Sequence, residues 1–523
     1  MKSEKISILR NSAERAIKKR DYQSAHRQLL QILQIDPEFA DAFFLLAMIP
    51  LEHGNTDKAI ELIKRALILH PNNGNYCVYL TKCYALKGDG VNTAAWAEKA
   101  LKVTVDSAFS HDVLGVAFSR IGLHEKAAQQ FKAAVAIKDN EANFYYNLAA
   151  ALKFLGDFDG AKSAYENTLK LEANHYKAHA ALTSLGGISH ENNHILRLSS
   201  LIKSAPATID QLHLSHALAS EYEALGEFEQ AFNVLDKAKT ARRNELQYSF
   251  DEDKEMFDSI SAIFSDKNHN FSSGCDSNQA IFVVGMPRTG TTLVERIISN
   301  HADVKSVGEL HNFELLLKQL AKIDNHKLAN TEQMLAATQV DFSVLGKTYI
   351  DSVTPLTGGN HKFVDKLPLN ILLAGFIAKA LPNCKIICLD RDPLDTIVSN
   401  YRQMFSPHYA YCNYSTSLEN TAQYYVEFRK LMYFWQKELP NNFTIVKYEK
   451  LVNNPEVEAK KIMKFCDLSW QASCLDIQGN SAPVATASTL QVRQPISNKS
   501  VGNWKKYDKH LDKVKEILTQ VNV

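Results

Sequence analysis

Apolar and polar positions follow two different rhythms along this chain. Up to about residue 245, apolar and small residues recur at helical spacing in paired stretches. Ala25, Ala59, Ala127 and Ala161 share one position in the second helix of a unit. Ala66, Ala100 and Ala134 share the next, and Ala47, Gly115 and Ala149 share one in the first helix. The register is 34 residues: Pro37 and Pro71 end two helical stretches, and Val105, Asp139 and Ala173 continue the spacing. Turns such as HGNTDKA, IGLHEKA and LGDFDGA separate the two helices of a pair. Small residues at fixed places let paired helices approach closely, and stacking buries what one pair leaves exposed. The pattern predicts five helical units, a stretch from about 176 to 210 that stays helical but leaves the register, and a further unit over Ala219–Ala238.

Beyond residue 245 the rhythm changes. YSFDEDKEMFDSISAIF reads as one amphipathic helix, and DKNHNFSSGCDSNQ has linker composition. Short runs of strand formers follow at Ile281–Val284, Lys362–Val364, Lys385–Leu389 and Phe443–Val446. Helices lie between them, one over Leu369–Leu381 opened by Pro368. Strands alternating with helices argue for a parallel sheet covered on both faces, with ligands at the carboxyl ends of its strands. The expected division is a helical repeat array over 1–245, a linker helix and loop over 246–278, and an α/β domain over 279–523. A chain of 523 residues is long enough for two such cores.

Composition narrows the partners. A net charge of +1 gives no dedicated surface for nucleic acid or anionic membrane. No apolar run reaches the length of about 18 residues that a spanning helix needs. The stretch MKSEKISILRNSAERAIKKRDY is charged throughout and does not read as a signal peptide, so a cytoplasmic location is expected. Eight cysteines without CxxC spacing read as reduced, mostly buried thiols rather than a disulfide frame or a zinc site.

The chemistry starts at IFVVGMPRTGTTLVERIIS, residues 281–299, a strand, a glycine loop and a helix. A loop feeding a helix N-terminus aims backbone N–H groups at one spot, and the helix dipole adds positive potential there. The spacing is that of a P-loop, with Gly285, Gly290 and Thr292 in place. Thr291 takes the lysine slot, and the basic residue, Arg288, sits inside the loop. The usual lysine contact to ATP phosphates is therefore missing, which counts against an ATP-dependent kinase. Asp365 and Lys366 follow the second strand, Asp390, Arg391 and Asp392 the third, and Tyr448 and Glu449 the fourth. Polar and basic groups thus collect at one sheet edge and favour an anionic ligand. Ser399 lies eight residues after Arg391, about two turns along the next helix, so that both reach one phosphate.

PRTGTTL and the Arg391–Ser399 spacing resemble sulfotransferases that use 3′-phosphoadenosine 5′-phosphosulfate (PAPS), in the protein-tyrosine sulfotransferase-like branch; the likeness covers about 279–507. The 34-residue units resemble tetratricopeptide repeats. The resemblance implies an all-α solenoid followed by a P-loop-like α/β domain with a central parallel sheet. It implies PAPS as donor, 3′-phosphoadenosine 5′-phosphate (PAP) as product, and no metal. The donor is expected on Arg288, Thr289, Gly290, Thr291 and Thr292 of the loop, on Arg391 and Ser399, and on Tyr448. The family carries a basic residue just before the tryptophan matched by Trp504. Here Asn503 stands there, with Lys505, the expected nucleotide contact, and Lys506 just after. Glu309, in HADVKSVGELH, matches the general base, with His311 as the runner-up. Lys366, Ser488 and Arg288 match groups that stabilise the transferring sulfuryl group during in-line attack. A hydroxyl or amine on a peptide, glycan or small molecule stays open as acceptor. The repeats are expected to bind a protein or peptide, or a second copy of the chain. An adaptor with an inactive nucleotide-binding domain is the rival of another class, and the presence of Arg288, Lys366, Arg391, Ser399 and Ser488 weighs against it.

Overall fold

Four glycines carry the repeat. Gly54, Gly88, Gly122 and Gly156 lie 34 residues apart, and each has a positive φ that lets one helix end and the next start back. At the next residue the returning helix is capped by Asn55, Asp89 or Asp157, as by Asp21 after Arg20, which also has a positive φ; each accepts a backbone N–H of the helix's first turn. Leu123 holds the same slot in the fourth unit, and no side chain caps that helix. The computed structural model describes residues 2–103, 107–266, 269, 271–323, 330–359, 361–406, 410–479 and 494–520. It divides into two compact units, Met1–Ala151 with Ser352–Pro355, and Leu152–Asp351 with Leu356–Val523.

The first unit is built from the hairpins α1 (Lys2–Lys18) and α2 (Tyr22–Ile35), α3 (Ala40–Glu52) and α4 (Thr56–Leu69), α5 (Gly74–Leu86) and α6 (Gly90–Lys102), and α7 (Ala108–Arg120) and α8 (His124–Ile137). The small positions of the register are buried: Ala25, Ala47, Ala59, Ala66, Ala100, Ala127 and Ala134 are all 0% exposed. Three slots of the same register hold threonine, at Thr81, Thr93 and Thr168, also fully buried. Each satisfies its hydroxyl on the carbonyl four residues back, at Cys77, Asp89 and Ala164. At Gly115 a Cβ would stand 2.5 Å from the Phe131 ring, so α7 and α8 approach there as only glycine permits.

The chain continues through α9 (Ala142–Leu155), α10 (Phe158–Leu171), α11 (Tyr176–Thr183), α12 (Ile195–Ser204), α13 (Thr208–Ala224), α14 (Phe228–Leu246) and α15 (Phe250–Ser265). The sheet follows: β1 (Ala280–Gly285), α16 (Thr291–Ser299), β2 (Val304–Gly308), α17 (Asn312–Ala321), α18 (Thr331–Thr338), α19 (Phe342–Thr357), β3 (Lys362–Asp365), α20 (Ala374–Ala380), β4 (Lys385–Asp390), α21 (Pro393–Arg402), α22 (Leu418–Glu438), β5 (Phe443–Lys447), α23 (Tyr448–Asn453), α24 (Pro455–Phe465) and α25 (Asp512–Gln520). All five strands are parallel, in the order β2-β3-β1-β4-β5. The strand order reverses at β1, so the loop after it opens into the crevice where parallel sheets bind ligands. Alternate β1 residues face opposite layers. Ile281 and Val283 join a core with Val294, Ile297, Leu451 and Ile462, while Phe282 stacks on Tyr349 and meets Phe313 edge-on.

Two differences from the sequence expectation are physical. Val304–Gly308 is a strand where none was expected, because an edge strand exposes Lys305 and half-exposes Ser306 and so reads as polar. The stretch expected as one helix over 369–381 begins as a 3-10 turn, Pro368–Leu373, before α20. Among the described residues, no helix is long and apolar enough to cross a membrane.

Candidate functional site

The loop between β1 and α16 is fixed from three sides. Within it, the Thr289 hydroxyl donates to the Met286 carbonyl at 2.7 Å. From α21, Asn400 Nδ2 donates to the Pro287 carbonyl at 2.7 Å. From the end of β4, Arg391 Nη1 donates to the Arg288 carbonyl at 2.8 Å. Arg288 has φ +67 and Gly290 φ +102, a left-handed pair that turns the chain sharply into α16. At Gly290 a Cβ would sit 2.5 Å from the ring of Tyr448, the first residue of α23, so glycine here is demanded by both backbone and space.

Above this loop lies an open cleft with a volume of about 190 Å³. Arg288, Gly290, Thr292, Arg391, Ser399 and Tyr448 line it, all of them expected from sequence. Arg402, Asp395, Lys499 and Trp504 line it as well. Three guanidiniums thus share one cleft. Burial, then the nearby charges of Arg402 and Arg391, pull the pKa of Arg288 down to about 10. Arg391 lies over the Tyr448 ring, 4.9 Å from its centroid. Its Nη2 donates to the Ser500 carbonyl, and its Nε is buried with no hydrogen-bond partner among the described residues. Like charges in a half-buried cleft, with an unsatisfied donor among them, fit an anion of phosphate type.

Asp395 joins α21 to the chain beyond residue 494. One carboxylate oxygen accepts Gly502 N–H at 2.7 Å, the other Trp504 N–H at 3.0 Å. This brings Lys499, Asn503 and Trp504 to the cleft, whereas Lys505 is exposed and does not line it. Thr289 and Thr291 are buried beneath the loop and do not line the cleft either. Ser488 lies outside the described residues.

Glu309 and Lys366 sit at the ends of the neighbouring strands β2 and β3 and do not line this cleft. They are brought together: Lys366 Nζ donates to Glu309 Oε1, and lies 4.0 Å from Glu295 Oε2 of α16. The β2–β3 register shifts between Ser306 and Gly308, an irregularity directly before Glu309. Lys366 is fully buried, while the Glu309 side chain is 33% exposed. Beside them, burial raises the Asp365 carboxyl to about 7, against the hydroxyl that Tyr349 donates to it at 2.6 Å. His311 is exposed just before α17. The cleft residue most readable in retrospect is Arg402, three residues after Ser399 and hence on the same helix face.

Residues 280–472 match the family model described as sulfotransferase family. Residues 16–81 and 142–175 match tetratricopeptide repeat models. The chain joins tetratricopeptide repeats to a sulfotransferase-family domain. An uncharacterized protein of Aquifex aeolicus is 32% identical over 331 residues, which is 62% of this chain and 43% of that protein. A putative protein-tyrosine sulfotransferase of Caenorhabditis briggsae is 28% identical over 234 residues, 43% of this chain and 80% of its own length. The protein-tyrosine sulfotransferase of Drosophila melanogaster is 21% identical over 269 residues, 47% of this chain and 50% of its own. The chain thus spans half or less of the Aquifex and Drosophila relatives it matches. In the sulfotransferase domain, no group of three or more His, Cys, Asp or Glu among the described residues is arranged to hold a metal.

Proposed function

We propose that this protein transfers the sulfuryl group of PAPS to an acceptor hydroxyl, with amines also open as acceptors. The observation that carries the reading is the convergence of Arg288, Arg391 and Arg402 on one cleft over the loop that opens α16. Burial and the charges of Arg402 and Arg391 make it costly for Arg288 to stay charged, and a polyanionic nucleotide offsets that cost. Arg288, Gly290 and Thr292 would hold the 5′-phosphosulfate end, and Arg391 and Ser399 the 3′-phosphate. Tyr448, wedged against Gly290, would wall the nucleotide side.

PAPS, when bound, supplies the sulfuryl group and the leaving nucleotide. The protein's residues do the rest. Glu309 takes the proton of the acceptor hydroxyl. Lys366, released from Glu309, Arg288 and the loop N–H groups face the negative charge that develops. Ser488 is assigned to the same task from the family likeness. The repeats are assigned to recruiting a protein or peptide acceptor, or a second copy of the chain.

The test is a thermal-shift titration of the full chain with PAP and, separately, with ATP and magnesium, followed by transfer from labelled PAPS to peptide, glycan and phenol acceptors. Stabilisation by PAP alone and label on one acceptor class are expected. Stabilisation by ATP with magnesium alone would replace the reading with a kinase. PAP binding with no transfer to any acceptor would leave a nucleotide-binding adaptor.

A further inference from the structure

Arg402, the last residue of α21, reaches the cleft but is gripped from outside it. Its Nε and Nη2 both donate to the carboxylate of Glu223, which belongs to α13, 179 residues earlier in the chain. The Tyr507 hydroxyl donates to the same carboxylate at 2.5 Å, and the Tyr507 ring centroid lies 5.5 Å from the guanidinium. The Arg402 side chain is 35% exposed and Glu223 only 16%. Burial opposes the charge on Arg402, but the Glu223 carboxylate outweighs it and the guanidinium is held above its ordinary value.

The same helical hairpin grips the rest of that turn. Asp236 of α14 accepts the Tyr401 hydroxyl at 2.7 Å. Lys239 of α14 donates to the Ser415 carbonyl at 2.7 Å and to the Gln403 carbonyl at 3.2 Å. Phe232 of α14 stacks on His510 at 3.6 Å. Both gripped pieces, the end of α21 and the segment after Gly502, carry residues that line the cleft. The further helical unit over 219–238 therefore holds, through its polar side chains, two pieces of the chain that line the cleft.

We infer that Glu223 is a positioning residue for the donor: it holds the Arg402 guanidinium beside the place where Arg391 and Ser399 receive the 3′-phosphate, without touching that phosphate. The inference rests on the donor reading of the cleft. A two-point grip through Nε and Nη2 leaves Nη1 for a ligand and fixes the plane of the fork. An arginine already held still loses less freedom on binding, which is worth on the order of tenfold in affinity. If Glu223 merely cancelled charge, its removal would tighten an anion instead, so the sign of the effect separates the two.

Calorimetry on the full chain with PAP and with 5′-AMP, which lacks the 3′-phosphate, tests this. Glu223→Asp keeps the charge but draws the carboxylate back by one methylene. It is expected to weaken PAP on the order of tenfold and leave 5′-AMP unchanged, so that the preference for PAP shrinks. Glu223→Gln is expected to weaken PAP as well. Arg402→Lys, which cannot form the fork, is expected to show the same loss of preference, and Glu223→Asp added to it should do no further harm. Wild-type preference in Glu223→Asp, tighter PAP in Glu223→Gln, or an equal loss for both nucleotides overturns the inference and leaves the donor reading standing. If the Glu223 variants do not fold, an unchanged preference in Arg402→Lys overturns it. A wild-type chain that binds neither nucleotide overturns the donor reading and this inference together.

Discussion

The two ends of the sheet's carboxyl edge handle charge in opposite ways. At the β2–β3 end, Glu309 and Lys366 form an ion pair, each the other's partner. At the β1–β4 end, Arg288, Arg391 and Arg402 crowd one cleft, and a buried Nε of Arg391 has no partner among the described residues. The Glu309–Lys366 pair has nothing to gain from a bound anion unless it parts; at the other end Arg402 is held by Glu223 and Arg391 lies 3.6 Å from Asp395, but Arg288, whose charge burial and its neighbours disfavour, and the buried Arg391 Nε gain from one. The proposed function places the donor at the crowded end and the proton and the acceptor at the paired end. Variants at the two ends should therefore split cleanly between binding and rate.

The largest effect is expected at the paired end. Glu309→Gln keeps size and hydrogen bonding but cannot take the proton, so single-turnover transfer at saturating PAPS should fall by about 10²–10⁴-fold. PAP affinity should stay near wild type. Lys366→Ala should also lower the rate, and it leaves Glu309 without its ion-pair partner, so its pH profile should differ from that of Glu309→Gln. His311→Ala is the control, expected to be near normal. An active Glu309→Gln beside an inactive His311→Ala would move the base to His311 and break the assignment of this end.

Next comes Arg391→Ala, at the crowded end. Hydrogen bonds to charged groups contribute about 1.5–3 kcal/mol, so PAP should bind some ten- to a hundredfold more weakly. Two further supports go with it, since Arg391 also donates to the Arg288 and Ser500 carbonyls. Calorimetry checks this, and wild-type affinity would withdraw the 3′-phosphate assignment.

How far the sequence carried this picture depends on the range of each contact. The β1 loop was legible because Gly285, Gly290 and Thr292 are local and their spacing has one geometric use. The repeats were legible from their alanines, yet Thr81, Thr93 and Thr168 hid in the same register, since their hydroxyls are satisfied locally where alanine would need nothing. β2 escaped because an edge strand this short and half exposed lacks an apolar run. Lys499 rather than Lys505 lines the cleft because Asp395 sets the path of the chain at Gly502 and Trp504, and nothing in the local sequence states that pairing. Least legible was the grip of Glu223 on Arg402, across 179 residues and from a helical unit that the sequence reading marked only as one more repeat.

A smaller effect, on stability and binding together, is expected at Gly290. Alanine there must adopt φ +102 and meets the Tyr448 ring at 2.5 Å. A strained residue of this kind costs roughly 1–3 kcal/mol, seen as a lower Tm and weaker PAP binding. Tyr448→Ala in the same chain removes the clash and should restore part of the Tm but none of the backbone strain. Full restoration would mean that space, not backbone, decides the glycine.

Ser399→Ala is the smallest and the sharpest probe of the division. Ser399 lines the cleft on the same helix face as Arg402, and its hydroxyl is assigned one neutral hydrogen bond to the 3′-phosphate. Such a bond contributes about 0.5–1.5 kcal/mol, so PAP should weaken about two- to tenfold. The contact is made equally in the ground and transition states, so the rate at saturating PAPS should not move, while kcat/KM for the donor falls by the same factor. This is the mirror image of Glu309→Gln, where rate falls and affinity holds. Titrating PAP and measuring saturated turnover on both variants, in one preparation, places each residue on one side. A Ser399→Ala protein with normal PAP affinity and a reduced saturated rate would put this hydroxyl at the reacting group, and the two ends of the sheet edge would no longer be separable by function.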